Sequence, residues 1–212
     1  KIISFIQVKG GAGKSTIATN IAGMMAKNKK VAIIDCDLPQ ATSASWVSVR
    51  GEDITITTAS NHIELVDRVT QLQDKHDFII IDAPPRIAEI TKATIMMSDL
   101  CLVPLGASAP EIWSTVDLLE TVEAARKRKS DIDVRIIWTR FRATTKAARE
   151  LSIAATEQLK LKTLDSKLGY RVAYSEAIGR GMTVLEWTDK KAKDELKTLG
   201  RELERILEVK FM

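Results

Sequence analysis

Lys9-Gly10-Gly11-Ala12-Gly13-Lys14-Ser15-Thr16 is the stretch on which the reading of this chain turns. An apolar run, Ile2–Val8, precedes it, and Ser15–Lys27 follows with apolar residues at helical spacing. A glycine-rich turn between a buried strand and a helix lets main-chain N–H groups face inward around phosphate oxygens, and the helix N-terminus adds partial positive charge. In that setting Lys14 reaches the β- and γ-phosphates, the Ser15 hydroxyl binds Mg²⁺ and Thr16 donates to the α-phosphate. The general pattern G-x-x-x-x-G-K-[ST] calls for glycine at position 8. This chain has Val8 there and a second lysine, Lys9, ahead of the Gly10-Gly11 pair. The bland alternative is a Gly-rich turn that binds no phosphate. The strand before, the helix after and the acidic partners below weigh against it.

Outward from the loop, further apolar runs read as buried strands: Val31–Ile34, Phe78–Ile81, Leu100–Pro104 and Val134–Trp138. They are nearly continuous in Ile, Val and Leu, as in parallel strands covered on both faces. Ile54–Thr57 alternates and suits a position near an edge. Helical stretches are expected at Ile63–Gln73, Ile87–Met97, Ile112–Lys127, Lys146–Leu159 and Asp189–Val209, the last with Leu196, Leu199, Leu203, Ile206 and Leu207 on one face. Alternating strands and helices predict a three-layer α/β fold, a mostly parallel open sheet with helices on both faces and ligands outside the carboxyl ends of the strands. Residues 1–212 contain no repeat or linker and read as one domain.

Composition narrows the class. The 212 residues are 45% hydrophobic and 28% charged, ordinary values for a globular protein, and no apolar run is long enough to span a bilayer. No secretory leader is apparent, and the first strand begins at once, so nothing is expected before the core. Cys36 and Cys101 both lie in apolar runs and read as buried thiols in a reduced compartment. No Cys/His spacing suggests a metal held by side chains alone. The formal charge of +4 is mild, but Arg135, Arg140, Arg142, Lys146 and Arg149 fall in one stretch with no acid.

Two acidic sites accompany the loop. Asp35-Cys36-Asp37 ends the second strand, and Asp82 ends the run Ile79-Ile80-Ile81, followed by Ala83-Pro84-Pro85. A carboxylate at a strand tip beside a phosphate loop suits Mg²⁺, directly or through water.

Residues 9–16, Asp35/Asp37, Asp82-Ala83-Pro84-Pro85, Thr139-Arg140 and Arg171-Val172-Ala173-Tyr174…Gly181-Met182-Thr183-Val184-Leu185-Glu186 together resemble the ParA/MinD family of deviant Walker A ATPases. The likeness covers essentially the whole chain and is strongest to the small ParA partition ATPases without an N-terminal helix-turn-helix domain. It implies ATP and Mg²⁺ as cofactors and a sandwich homodimer in which Lys9 reaches the partner's nucleotide. By the same resemblance Lys14 and Ser15 serve phosphate and metal, Asp35 supports Mg²⁺ through water, and Asp37 positions the attacking water. Asp82 is then the Walker B carboxylate, and Thr139 and Arg140 contact the purine. A surface arginine is the alternative for Arg140. Relatives usually read Asp-x-Asp-Pro-Gln, whereas Leu38 is extra here, which lengthens the loop after Asp37.

The resemblance implies slow ATP hydrolysis stimulated by a ParB-like centromere-binding or cargo adaptor. It also implies non-specific DNA binding and a cytoplasmic, nucleoid-associated location. Arg142, Lys146, Arg149, Arg171, Arg180, Lys190 and Lys191 are candidate phosphate contacts, against the alternative of a solvated basic face. A MinD-like membrane role through the C-terminal helix is disfavoured, because Glu202, Glu204 and Glu208 interrupt it. Positioning of a protein cargo uses the same core. The two cysteines do not match the nitrogenase iron protein, and no substrate pocket of a dethiobiotin-synthetase-like enzyme is evident. Only Tyr170 and Tyr174 are present, against the tyrosine-rich tail of a bacterial tyrosine kinase. Trp46 and Trp113 are expected in the core.

Overall fold

The computed structural model describes residues 1–38, 40–51, 53–86, 89–142 and 145–212. β1 (Ile2–Phe5) leads to α1 (Lys14–Met25), β2 (Val31–Asp35) to α2 (Thr42–Arg50), and β3 (Thr55–Thr58) to α3 (His62–Leu72). β4 (Phe78–Asp82), α4 (Glu89–Met97), β5 (Leu100–Gly106), α5 (Ala109–Arg126), β6 (Val134–Phe141), α6 (Lys146–Leu159) and β7 (Lys162–Gly169) continue the alternation. Two helices follow, α7 (Val172–Ile178) and α8 (Lys190–Leu207).

Among the described residues seven strands form one sheet in the order β3-β2-β4-β1-β5-β6-β7. Every pairing is parallel, so all carboxyl ends lie along one side. This is the α/β P-loop architecture expected from the sequence. Its central strands are mostly apolar, and their side chains alternate between faces. Ile3, Phe5, Ile33, Ile80 and Leu102 join one core with α1, α2, α7 and α8. On the opposite face Ile6, Val103 and Leu105 pack with α5 and α6. Beside them, Ile34, Ile79 and Ile81 pack with α3 and α4.

Several boundaries differ from expectation. β1 stops at Phe5 instead of Val8, because the chain leaves the sheet to begin the loop. β6 continues to Phe141, which places Thr139 and Arg140 inside the strand. Ile87, the expected start of a helix, lies outside the described residues, and α4 begins at Glu89. β3 occupies the edge anticipated for it.

The other edge strand, β7, was not anticipated. Leu164, Ser166 and Leu168 are buried and their neighbours exposed, so the segment has too few apolar residues to stand out. Its register against β6 shifts after Ile136, and the amides of Asp165 and Ser166, inside this bulge, donate to the Glu202 carboxylate at 2.8 Å each. Gly169 N donates to Glu195, one helical heptad earlier on α8. The helices α2 and α7 were also missed, being short and weakly patterned.

The C-terminal helix packs on the chain's own core. Asp189 caps it by accepting from Ala192 N, and Leu196, Leu199, Leu203 and Leu207 are buried. Phe211 beyond it meets Phe78 edge-on with ring centroids 5.6 Å apart. Among the described residues no helix is long and apolar enough to cross a membrane.

Candidate nucleotide-binding site

The loop between β1 and α1 takes its shape from two glycines. Gly11 (φ 72°) and Gly13 (φ 98°) adopt left-handed conformations that L side chains rarely reach. Gly13 is the N-cap of α1 and supplies no side-chain acceptor, so the first-turn amides remain available to an anion. Gln7, buried beneath the loop, donates to Pro104 O at 3.2 Å and Thr115 Oγ1 at 3.0 Å and accepts from Val8 N. Thr139 Oγ1 donates to Ala12 O at 3.2 Å, which ties β6 to the loop.

The two lysines of the loop differ. Lys14 is buried, and burial lowers its pKa against the opposing pull of Asp82 and Asp37. Lys9 is exposed and makes no hydrogen bond or ion pair among the described residues. Gly10 is exposed as well, while Ser15 and Thr16 open the first turn of α1 half-buried.

Asp35 and Asp82 are paired neighbours at the ends of β2 and β4. Asp35 Oδ1 accepts from Asp37 N at 3.0 Å and Oδ2 from Ala44 N at 2.9 Å. Its carboxylate therefore shapes the loop that carries Asp37. Asp82 Oδ2 accepts from Ser43 Oγ at 2.7 Å, while Oδ1 is buried without a partner among the described residues. Burial pushes the Asp82 carboxyl up to about 6, with the Ser15 and Ser43 hydroxyls and Lys14 opposing. A buried, unsatisfied carboxylate oxygen beside a serine hydroxyl fits a hard cation such as Mg²⁺. No group of three or more potential metal-binding His, Cys, Asp or Glu side chains exists among the described residues, so phosphate and water would complete the shell.

Asp37 is nearly buried, and its carbonyl accepts from Gln40 N at 3.0 Å and Ala41 N at 2.7 Å. This turn absorbs the extra residue by leaving Leu38 exposed and Ala41 at φ 44°, while Pro39 lies outside the described residues.

Beyond the phosphate loop opens a cavity of about 370 Å³, lined by Ala12, Thr139, Arg140, Tyr170, Arg171 and Tyr174 among others. Arg140 has φ 48° and pairs with Glu111 at 2.8 Å. Tyr174 is buried with its hydroxyl unsatisfied among the described residues, and burial raises its pKa.

The sequence model for the CobQ/CobB/MinD/ParA nucleotide binding domain matches residues 3–184. The chain belongs to this family. Its relatives include Maintenance of carboxysome distribution protein A of Halothiobacillus neapolitanus, 26% identical over 87% of this chain and 86% of that one. The sporulation initiation inhibitor protein Soj of Bacillus subtilis is 23% identical, covering 87% and 90% respectively. Among solved structures, an ATP complex of a McdA variant from Cyanothece superposes with a TM-score of 0.79 at 19% identity, covering 100% of this chain and 98% of that one. At that identity the likeness concerns the fold.

The remaining ParA/MinD-type residues divide between structure and surface. The Arg171–Glu186 segment clamps onto α2: Arg50 donates to Gly181 O and pairs with Glu186 and Asp53, and Trp46 Nε1 donates to Met182 O. Gly181 (φ 68°) lies so close to Arg50 that a Cβ would meet its backbone nitrogen at 2.7 Å.

The basic candidates lie in different settings. Arg171 is held by Glu195 at 2.6 Å and Lys146 by Glu150 at 3.5 Å. Arg142 lies over Tyr170 and Arg180 over Trp187. Arg149 and Lys190 are exposed. Arg135, at the far end of β6, is paired with Asp133. Trp46 is buried as expected, but Trp113 is 65% exposed on the outer face of α5, since the buried stripe of that helix runs through Ile112, Thr115 and Leu118. Sequence reasoning also missed Gln7, Ser43 and Glu111, lone polar residues outside any motif.

Proposed function

We propose that this chain is an ATP-hydrolysing positioning protein. MgATP joins two copies face to face, the dimer holds DNA non-specifically, and a ParB-like centromere-binding or cargo adaptor stimulates hydrolysis and release. The observation that carries the reading is the contrast between two lysines of one phosphate loop. Lys14 is buried for the copy's own nucleotide, whereas Lys9 is exposed and free to reach a partner's. A cation delivered in trans raises turnover only once two copies meet, and devices of that kind contribute roughly 10³–10⁵ in rate.

The same reading assigns the other roles. Ser15 and Asp82 hold Mg²⁺, with Asp35 behind them, and Asp37 orients the attacking water beside Lys14. Thr139 and Arg140 face the base. Arg142, Lys146, Arg149, Arg180 and Lys190 are the candidate contacts for DNA phosphates, and the Arg171 guanidinium is held by Glu195.

The relatives named for carboxysome distribution favour a second reading, a protein cargo positioned on DNA by the same switch. The adaptor selects the cargo, so the ATPase core serves both. A MinD-like membrane role lacks support from α8, whose apolar stripe is buried in the core.

Binding to a random-sequence duplex, followed by fluorescence anisotropy with Mg²⁺ and ATP, ADP or no nucleotide, tests the proposal. Binding should require ATP, persist in Asp37→Ala, vanish in Lys9→Ala and weaken steeply with salt. Indifference to DNA in every nucleotide state defeats it.

A further inference from the structure

Asp35 and Asp82 end adjacent strands as register partners, and α2 meets both with two consecutive residues of its first turn. Ala44 N donates to Asp35 Oδ2 at 2.9 Å, and Ser43 Oγ donates to Asp82 Oδ2 at 2.7 Å. The two carboxylates end up differently. Asp35 also accepts from Asp37 N at Oδ1, so both of its oxygens are occupied. Asp82 keeps Oδ1 buried with no hydrogen bond among the described residues. Of the two strand-end acids, Asp82 is the one with an oxygen to give.

We infer that Ser43 is a positioning residue for the metal carboxylate: by taking Oδ2 of Asp82 it reserves Oδ1 for the cation. The main chain of Asp82 is fixed in β4, where its carbonyl accepts from Cys36 N at 3.0 Å. Its side chain is less constrained, because the terminal torsion of an aspartate is broad. Without a partner the carboxylate samples orientations in which neither oxygen faces a cation. Ser43 supplies that partner from a fixed platform. It is fully buried, and the helix that carries it is anchored further along, where Trp46 Nε1 donates to Met182 O and Arg50 pairs with Asp53 and Glu186. A hydroxyl donating to an ionised oxygen makes a short, strong bond, and groups that orient a ligating carboxylate in this way set metal affinity without touching the metal.

This role rests on Asp82 as the Mg²⁺ carboxylate of the proposed function, and the experiment separates the two. ADP is titrated calorimetrically in EDTA, and Mg²⁺ is titrated into the ADP-loaded protein, for the parent, Ser43→Ala, Asp82→Ala and the double variant. Ser43→Ala should weaken Mg²⁺ about tenfold and leave ADP affinity in EDTA at the parental value. A serine that merely supports the fold would not discriminate between the two titrations. In the double variant the serine change should cost nothing beyond Asp82→Ala. Where Asp82→Ala weakens Mg²⁺, three results each overturn the positioning role and leave Asp82 as the ligand: parental Mg²⁺ affinity in Ser43→Ala, an equal loss of ADP affinity without metal, or a further loss in the double variant. Parental Mg²⁺ affinity in Asp82→Ala removes the metal carboxylate and the positioning role together. A parent that takes up no Mg²⁺ beside ADP brings down the metal site of the proposed function itself.

Discussion

Between Ile6 and Thr16 the chain shapes its ligand-facing surface with main-chain geometry, whereas between Gly106 and Tyr174 the same task falls to side chains from β6, α5, the β7–α7 junction and α7. The phosphate side needs two left-handed glycines, a helix N-terminus and one buried lysine, all within a few consecutive residues. On the proposed base side the structure brings together pairs from distant parts of the chain, Thr139 with Ala12 and Arg140 with Glu111. Phosphate chemistry is common to every nucleotide and can be met by amides any residue provides. A base is recognised by shape and by particular side chains, which more than one arrangement can supply. The first solution is contiguous and the second dispersed.

Three measurements sharpen or break that contrast. Lys14→Ala should weaken MgATP binding by about 10²–10³-fold, the effect of removing one partner of a buried ionic contact. Calorimetry that finds less than about tenfold would place the main phosphate affinity elsewhere.

Asp82 gives the next effect, read as stability. Its folded pKa, raised to about 6, stands above the ordinary 3.8, so the folded chain retains a proton that the unfolded chain has released between these values. Stability of the metal-free protein should fall as pH rises through that window, by on the order of 3 kcal/mol once the group is ionised. Asp82→Asn should therefore melt higher than the parent at pH 7.5 without Mg²⁺, and should lose this part of the pH dependence. An unchanged pH profile of melting in that variant would assign the effect to another group.

Tyr170→Ala should have the smallest consequence, about three- to tenfold on MgATP and none on tripolyphosphate, because an exposed aromatic wall contributes on the order of 1 kcal/mol. A loss as large as that of Lys14→Ala would show that the base side dominates affinity, reversing the comparison.

The same contrast explains what could be read in advance. The central strands were visible because burial on both faces forces uninterrupted Ile, Val and Leu, and the phosphate loop because its glycines must be adjacent to its lysine. β7 was hidden by alternation with lysine and aspartate. Glu111 was hidden because nothing local marks it: its partners are five and twenty-nine residues away. Trp113 was misplaced into the core because aromatic character alone says little about which face of a helix carries it. The glycine, threonine and glutamate of the Arg171–Glu186 segment form the clamp on α2, a structural task that their spacing did not reveal.

The bulge in β7 restricts how copies of this chain can assemble. Sheets extend into fibres when a straight edge offers a run of free amides to another strand. Here the Asp165, Ser166 and Gly169 amides are held by Glu202 and Glu195, and the opposite edge, β3, is only four residues long. Neither edge offers a straight run of free amides, so any association between copies is left to side-chain surfaces and loops, and among the described residues the sheet has seven strands.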